Sequence, residues 1–155
     1  MAHKTTKIPA GTLFPVVTEL LQQGKDVEIT VRGNSMYPFI RSNTDTALLQ
    51  PVVYSALKPL DIVLIRRCNG DYILHRIHSV RPGGLLIIGD AQRKLEGPIR
   101  PDQVIARAKS IQRGRLFIGC TSTRWRLLAR LWMLLRPIRP WSVRLYIRLW
   151  HMHNP

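Results

Sequence analysis

Acidic residues run out before the last third of this chain: of 155 residues only 9 are Asp or Glu, and the last is Asp102. Eleven Lys and Arg follow it with no acid among them, out of 24 in all, for a net charge of +15. Such an asymmetry makes a basic tail, which suits an anionic partner such as a membrane surface or nucleic acid. Cysteine is nearly as scarce. Cys68 and Cys120 are too few for a disulfide framework and have no zinc-type Cys/His spacing. Two buried, reduced thiols are expected, and neither a metal nor a cofactor. Long apolar runs are missing too. No uncharged apolar stretch of 18 or more residues occurs, so a membrane-spanning helix is not expected. Met1–Pro9 is polar and basic with no apolar core after it, unlike a secretory leader.

What is present is enough for one domain. Hydrophobic residues make up 45% of the chain, sufficient to fill a core at this length. Thr12–Gln23 has the amphipathic spacing of a short helix, with Thr12 as cap, Pro15 in the first turn and Gly24 as stop. From Val27 the period changes to two. Val27–Val31, Thr46–Val53, Asp61–Arg67, Asp71–Val80, Leu85–Ile88, Val104–Ile111 and Leu116–Ile118 read as strands divided by Gly, Pro and Asn turns. Asn69-Gly70 between two apolar runs is a strong hairpin signal. The chain is therefore expected to be mainly β. An N-terminal segment and short helix (1–24) lead into an antiparallel β domain (25–119) and a basic amphipathic helical tail (120–155).

Three residues carry candidate chemistry. Ser35 follows a Gly33-Asn34 turn and precedes Met36-Tyr37-Pro38. A serine hydroxyl is a weak nucleophile that needs an adjacent base. A turn fixed by Pro38 aims both the Ser35 hydroxyl and its backbone N–H at one carbonyl, combining nucleophile and part of an oxyanion hole. His75, inside Tyr72–Ile77, is the candidate base, because imidazole titrates near neutrality. Alternation puts Ile73, His75 and Ile77 on one face, where burial keeps the ring neutral; His78 falls on the other. Asp90, after Ile88-Gly89, is the candidate acid that orients the His75 imidazole, with Glu96 as the alternative.

These residues resemble a known family. Gly33-x-Ser35-Met36-x-Pro38, Leu60-Asp61-Ile62-Val63, His75-Arg76-Ile77 and Gly89-Asp90-Ala91 occur in the order of the motifs of signal peptidase I and LexA-type serine peptidases. The resemblance covers about residues 25 to 112. It implies that Ser35 is the nucleophile. His75 stands where bacterial signal peptidases and LexA-type repressors place a lysine. That is similar to the Ser/His subgroup of endoplasmic-reticulum, archaeal and sporulation signal peptidases, in which Asp90 assists and Glu96 matches a second acid. Thr44 and Leu60 occupy positions where the family usually has glycine. Ala10-Gly11 is similar to the bond that LexA-type proteins cleave in themselves.

The tail completes the reading. Trp125, Leu127, Leu128, Leu131, Trp132, Leu134 and Leu135 share one broad helical arc, with Arg126, Arg130 and Arg136 opposite. A second short helix is expected over Ser142–Trp150. Arginines with tryptophan at the apolar edge suit a lipid interface, so Trp125, Arg126, Arg130 and Trp132 are the candidate membrane contacts. A packed helix with solvated arginines is the alternative, and nucleic acid is not the expected partner. The function expected is a serine endopeptidase acting on a leader, signal or precursor peptide, peripherally bound to an anionic membrane. The alternatives are a non-catalytic peptide- or membrane-binding module and a self-cleaving repressor relative.

Overall fold

The computed structural model describes residues 10–136. The second tail helix expected over Ser142–Trp150 lies outside the described residues. Helix α1 spans Ala10–Gln22, so Pro15 lies inside it, not in its first turn. Gly24, at φ +78°, ends it as expected: the Gly24 N–H donates to Leu21 O and the Lys25 N–H to Leu20 O. The left-handed conformation required there favours glycine.

The sheet is antiparallel throughout and has eight strands: β1 (Val27–Thr30), β2 (Asp45–Gln50), β3 (Ile62–Arg66), β4 (Tyr72–Arg81), β5 (Gly84–Ile88), β6 (Glu96–Ile99), β7 (Val104–Arg113) and β8 (Leu116–Gly119). Their order is β1-β2-β7-β3-β4-β5-β6, with β8 also paired to β7. The second expected strand, Thr46–Val53, stops at Gln50, before Pro51. β6 was not expected. Its Glu-Gly-Pro-Ile sequence carries two residues that disfavour strands, and it forms at the end of the strand order, where proline is tolerated.

Alternation along the strands splits the apolar residues between two clusters. Ile62, Leu64 and Leu74 join Met36, Ile40, Ala106, Ile111 and Trp125 in one. Val63, Ile65 and Ile77 join Leu85, Ile87 and Ile99 in the other. β3 thus buries both faces, which is why Ile62-Val63-Leu64-Ile65 is an unbroken apolar run. Each such side chain contributes roughly 1.5–3 kcal/mol when fully buried.

Helix α2 (Thr123–Leu134) packs on this domain, but not by its expected face. Trp125 is 7% exposed and belongs to the first cluster, as does Cys120. Ala129, completely buried, lets the helix approach closely. The Trp125 ring meets Phe39 edge-on at 4.9 Å, and the Trp132 Nε1–H donates to Asp90 O at 2.7 Å. Arg126 donates to Asp61 Oδ1 at 3.0 Å and to Pro59 O at 2.9 Å. Of the expected lipid contacts, Trp125 is buried in the domain, while Trp132 and Arg126 are partly exposed and hydrogen-bond to it. Arg130 remains exposed. The packing face differs from the expected one because the apolar arc covers about half the helix circumference. The domain takes its tryptophan edge and leaves the leucines outside. Cys68 is also exposed, contrary to the expectation of two buried thiols.

Candidate functional site

Ser35 lies in the turn between β1 and β2. Gly33 opens that turn at φ +87°, and its N–H donates to Ser42 Oγ at 3.0 Å. Met36 and Ile40, one helical turn apart, are buried in the core and are joined by the Ile40 N–H to Met36 O bond. Ser35 itself is half-buried at the rim. Its carbonyl accepts the Ala91 N–H at 2.8 Å. Gly89 is packed so closely there that a Cβ would stand 2.6 Å from Ser35 O, so no larger residue fits without displacing the serine turn. Glycine is required at this place by a close approach between two backbones.

Strand register shows what that contact means. β4 and β5 pair Arg76 with Ile88, and one step further along this antiparallel register puts Gly89 level with His75. The backbone of the serine turn thus meets the Gly89-Asp90-Ala91 loop, more than fifty residues away in sequence, beside the strand position of His75.

The two sides of β4 at this point differ. Arg76 is fully buried, and it holds Asp90 through Nε to Oδ1 at 2.8 Å and Nη2 to Oδ2 at 2.7 Å. Its Nη1 donates to Leu60 O at 3.1 Å, and the guanidinium lies 4.9 Å from the Phe39 ring centroid. Both Asp90 oxygens therefore serve Arg76, and the role expected for Asp90, orienting the imidazole, is replaced by an ion pair with the neighbour of His75. Leu60, at φ +77°, adopts the left-handed conformation that favours glycine; an L side chain there costs about 1–2 kcal/mol. Its N–H to Ile77 O bond and its carbonyl's bond from Arg76 fix it in place.

His75 projects to the other side, the side of Ile77 and Ile87. It is 1% exposed, and among the described residues its Nδ1 has no hydrogen-bond partner. Burial pushes the imidazole down to about 4, and so it is neutral at neutral pH, as a general base must be. Glu96 opposes that shift more strongly than Asp90 does. Register explains the ranking: Ile77 pairs with Ile87 and Ile87 with Glu96, so Glu96 shares the face of His75. Arg67 grips the Glu96 carboxylate with Nε to Oε1 at 2.6 Å, holding it below the usual carboxylate range. Sequence reasoning treated Glu96 as the second choice and passed over Arg67 and Arg76 as chemistry. The parity of His75 and Arg76 on one strand was the available signal that a single acid does not face both.

No family model matches this chain, and neither a curated protein nor a solved structure matches it.

Among the described residues, no helix is long and apolar enough to cross a membrane.

Proposed function

We propose that this protein is a serine endopeptidase whose β domain is of the signal peptidase I and LexA type. Ser35 attacks the peptide carbonyl. His75 accepts the hydroxyl proton and returns it to the leaving amine. The observation that carries this reading is the seating of the Ser35 backbone on Gly89, level with a buried His75. Glu96 supports His75 at a distance: both its oxygens are held by Arg67, yet it lies on the face of His75 and its negative charge favours the imidazolium formed in the reaction. Asp90 acts through Arg76 to hold the loop that supports Ser35. β1, terminal in the strand order, runs directly into the Ser35 turn. A leader or precursor peptide added along its outer edge would pass the hydroxyl in extended form.

Self-cleavage at Ala10-Gly11 is disfavoured. Both residues belong to α1, and a helical bond must unwind before a peptidase can take it as a strand. The experiment is cleavage of extended peptides with small side chains by wild type, Ser35→Ala and His75→Ala. Turnover by wild type and a loss of at least roughly a hundredfold in both variants is expected. Undiminished turnover in either variant would refute the assignment and favour a non-catalytic binding module.

A further inference from the structure

We propose that the outward face of α2 is a docking surface for an anionic lipid bilayer. Leu127, Leu128, Leu131, Leu134 and Leu135 are between 46% and 77% exposed. At helical spacing they fall on one arc of about 120°. The opposite side of the helix is already used, by Trp125, Ala129 and Trp132 against the domain, so the leucines cannot be buried by turning the helix over. A contiguous apolar stripe of this kind on a folded surface marks a binding site.

Charge selects the occupant. Arg124 stands on the same arc one turn before the leucines, Arg130 borders it, and both are exposed. No acid follows Asp102 in the sequence. A second copy of this chain would set these arginines and a net +15 against their own image, which repulsion opposes. A nucleic acid would meet the arginines and leave the leucines in water. An anionic bilayer satisfies both, taking the leucines into its acyl boundary and the guanidinium groups among its headgroups.

The position of the helix gives the docking a consequence. Trp132 is bonded to Asp90 O, Arg136 Nη2 donates to Arg93 O at 2.7 Å, and Ala91 holds Ser35 O. The C-terminal turn of α2 is thus tied to the loop on which Ser35 rests, and docking fixes the serine turn close to the bilayer surface.

The test is sedimentation of the full chain with vesicles of phosphatidylglycerol in phosphatidylcholine, compared with phosphatidylcholine alone. Wild type is expected to bind the anionic vesicles and not the neutral ones. The exposed triple variant Leu127→Gln, Leu131→Gln, Leu134→Gln is expected to melt at the wild-type temperature and to lose at least about tenfold in partitioning. Arg124→Gln with Arg130→Gln is expected to weaken binding and flatten its salt dependence. Wild type that binds neither vesicle, or a triple variant that binds as wild type does, would overturn the proposal. So would a wild-type dimer in analytical ultracentrifugation that the triple variant abolishes. Turnover of a soluble peptide is expected to be unchanged in the triple variant, so this proposal and the peptidase reading fail separately.

Discussion

The two faces of β4 sit back to back and hold their charge in opposite ways. On one, Arg76 and Asp90 are buried together and joined by two matched hydrogen bonds. On the other, the equally buried His75 keeps an Nδ1 with no partner among the described residues. A fully satisfied group is suited to holding structure, because any change in it leaves a bare charge in the interior. An unsatisfied one has capacity left for chemistry. Adjacent residues in one strand thus differ: Arg76 fastens the Gly89-Asp90-Ala91 loop, and His75, buried with an unbonded Nδ1 among the described residues, is the base of the proposed peptidase.

Breaking the satisfied face has the largest expected effect. Asp90→Asn leaves the Arg76 guanidinium without its counter-charge, and Arg76→Met does the same to Asp90. Each is expected to cost about 3–5 kcal/mol in urea denaturation. The double replacement Arg76→Met with Asp90→Leu is expected to recover much of that. If Asp90→Asn were as stable as wild type yet inactive, Asp90 would belong to the chemistry and the division between the faces would be wrong.

The other face has a smaller and pH-dependent effect. Folded, His75 takes up a proton only near pH 4, whereas in the unfolded chain it does so near its ordinary 6.5. Between those values the unfolded state binds more protons, so His75 makes stability rise with pH and fall on acidification through that window. The loss amounts to at most ~3 kcal/mol. Denaturation of wild type and His75→Gln across this range isolates it. The stability difference between them is expected to shift against wild type on acidification by up to that amount. A constant difference would mean that His75 is solvated in the native state.

How much of this was legible follows from which rules are local. The strands were readable because alternation is written residue by residue, as in Val27-Glu28-Ile29-Thr30. β6 was not, because Gly97 and Pro98 hide an edge strand that only pairing with β5 creates. The positions of Ser35 and His75 were legible as motifs, but the partner of Asp90 was not. That choice depends on which face each residue takes once β4 and β5 are in register, and register is set by the whole sheet. The packing side of α2 was lost for a related reason. Tryptophan and leucine both read as apolar, and only the completely buried Ala129 reveals which edge can approach the domain closely.

The account rests on His75 activating the Ser35 hydroxyl with Glu96 in support, and the rate of phosphonylation by a serine-reactive fluorophosphonate tests this most directly. Mass spectrometry of the wild type is expected to place the adduct on Ser35. His75→Ala is expected to slow the reaction by roughly a hundredfold or more, and Glu96→Gln by at least about tenfold. A wild-type chain that stays unmodified at Ser35, or one modified there just as fast without the imidazole, would contradict the account.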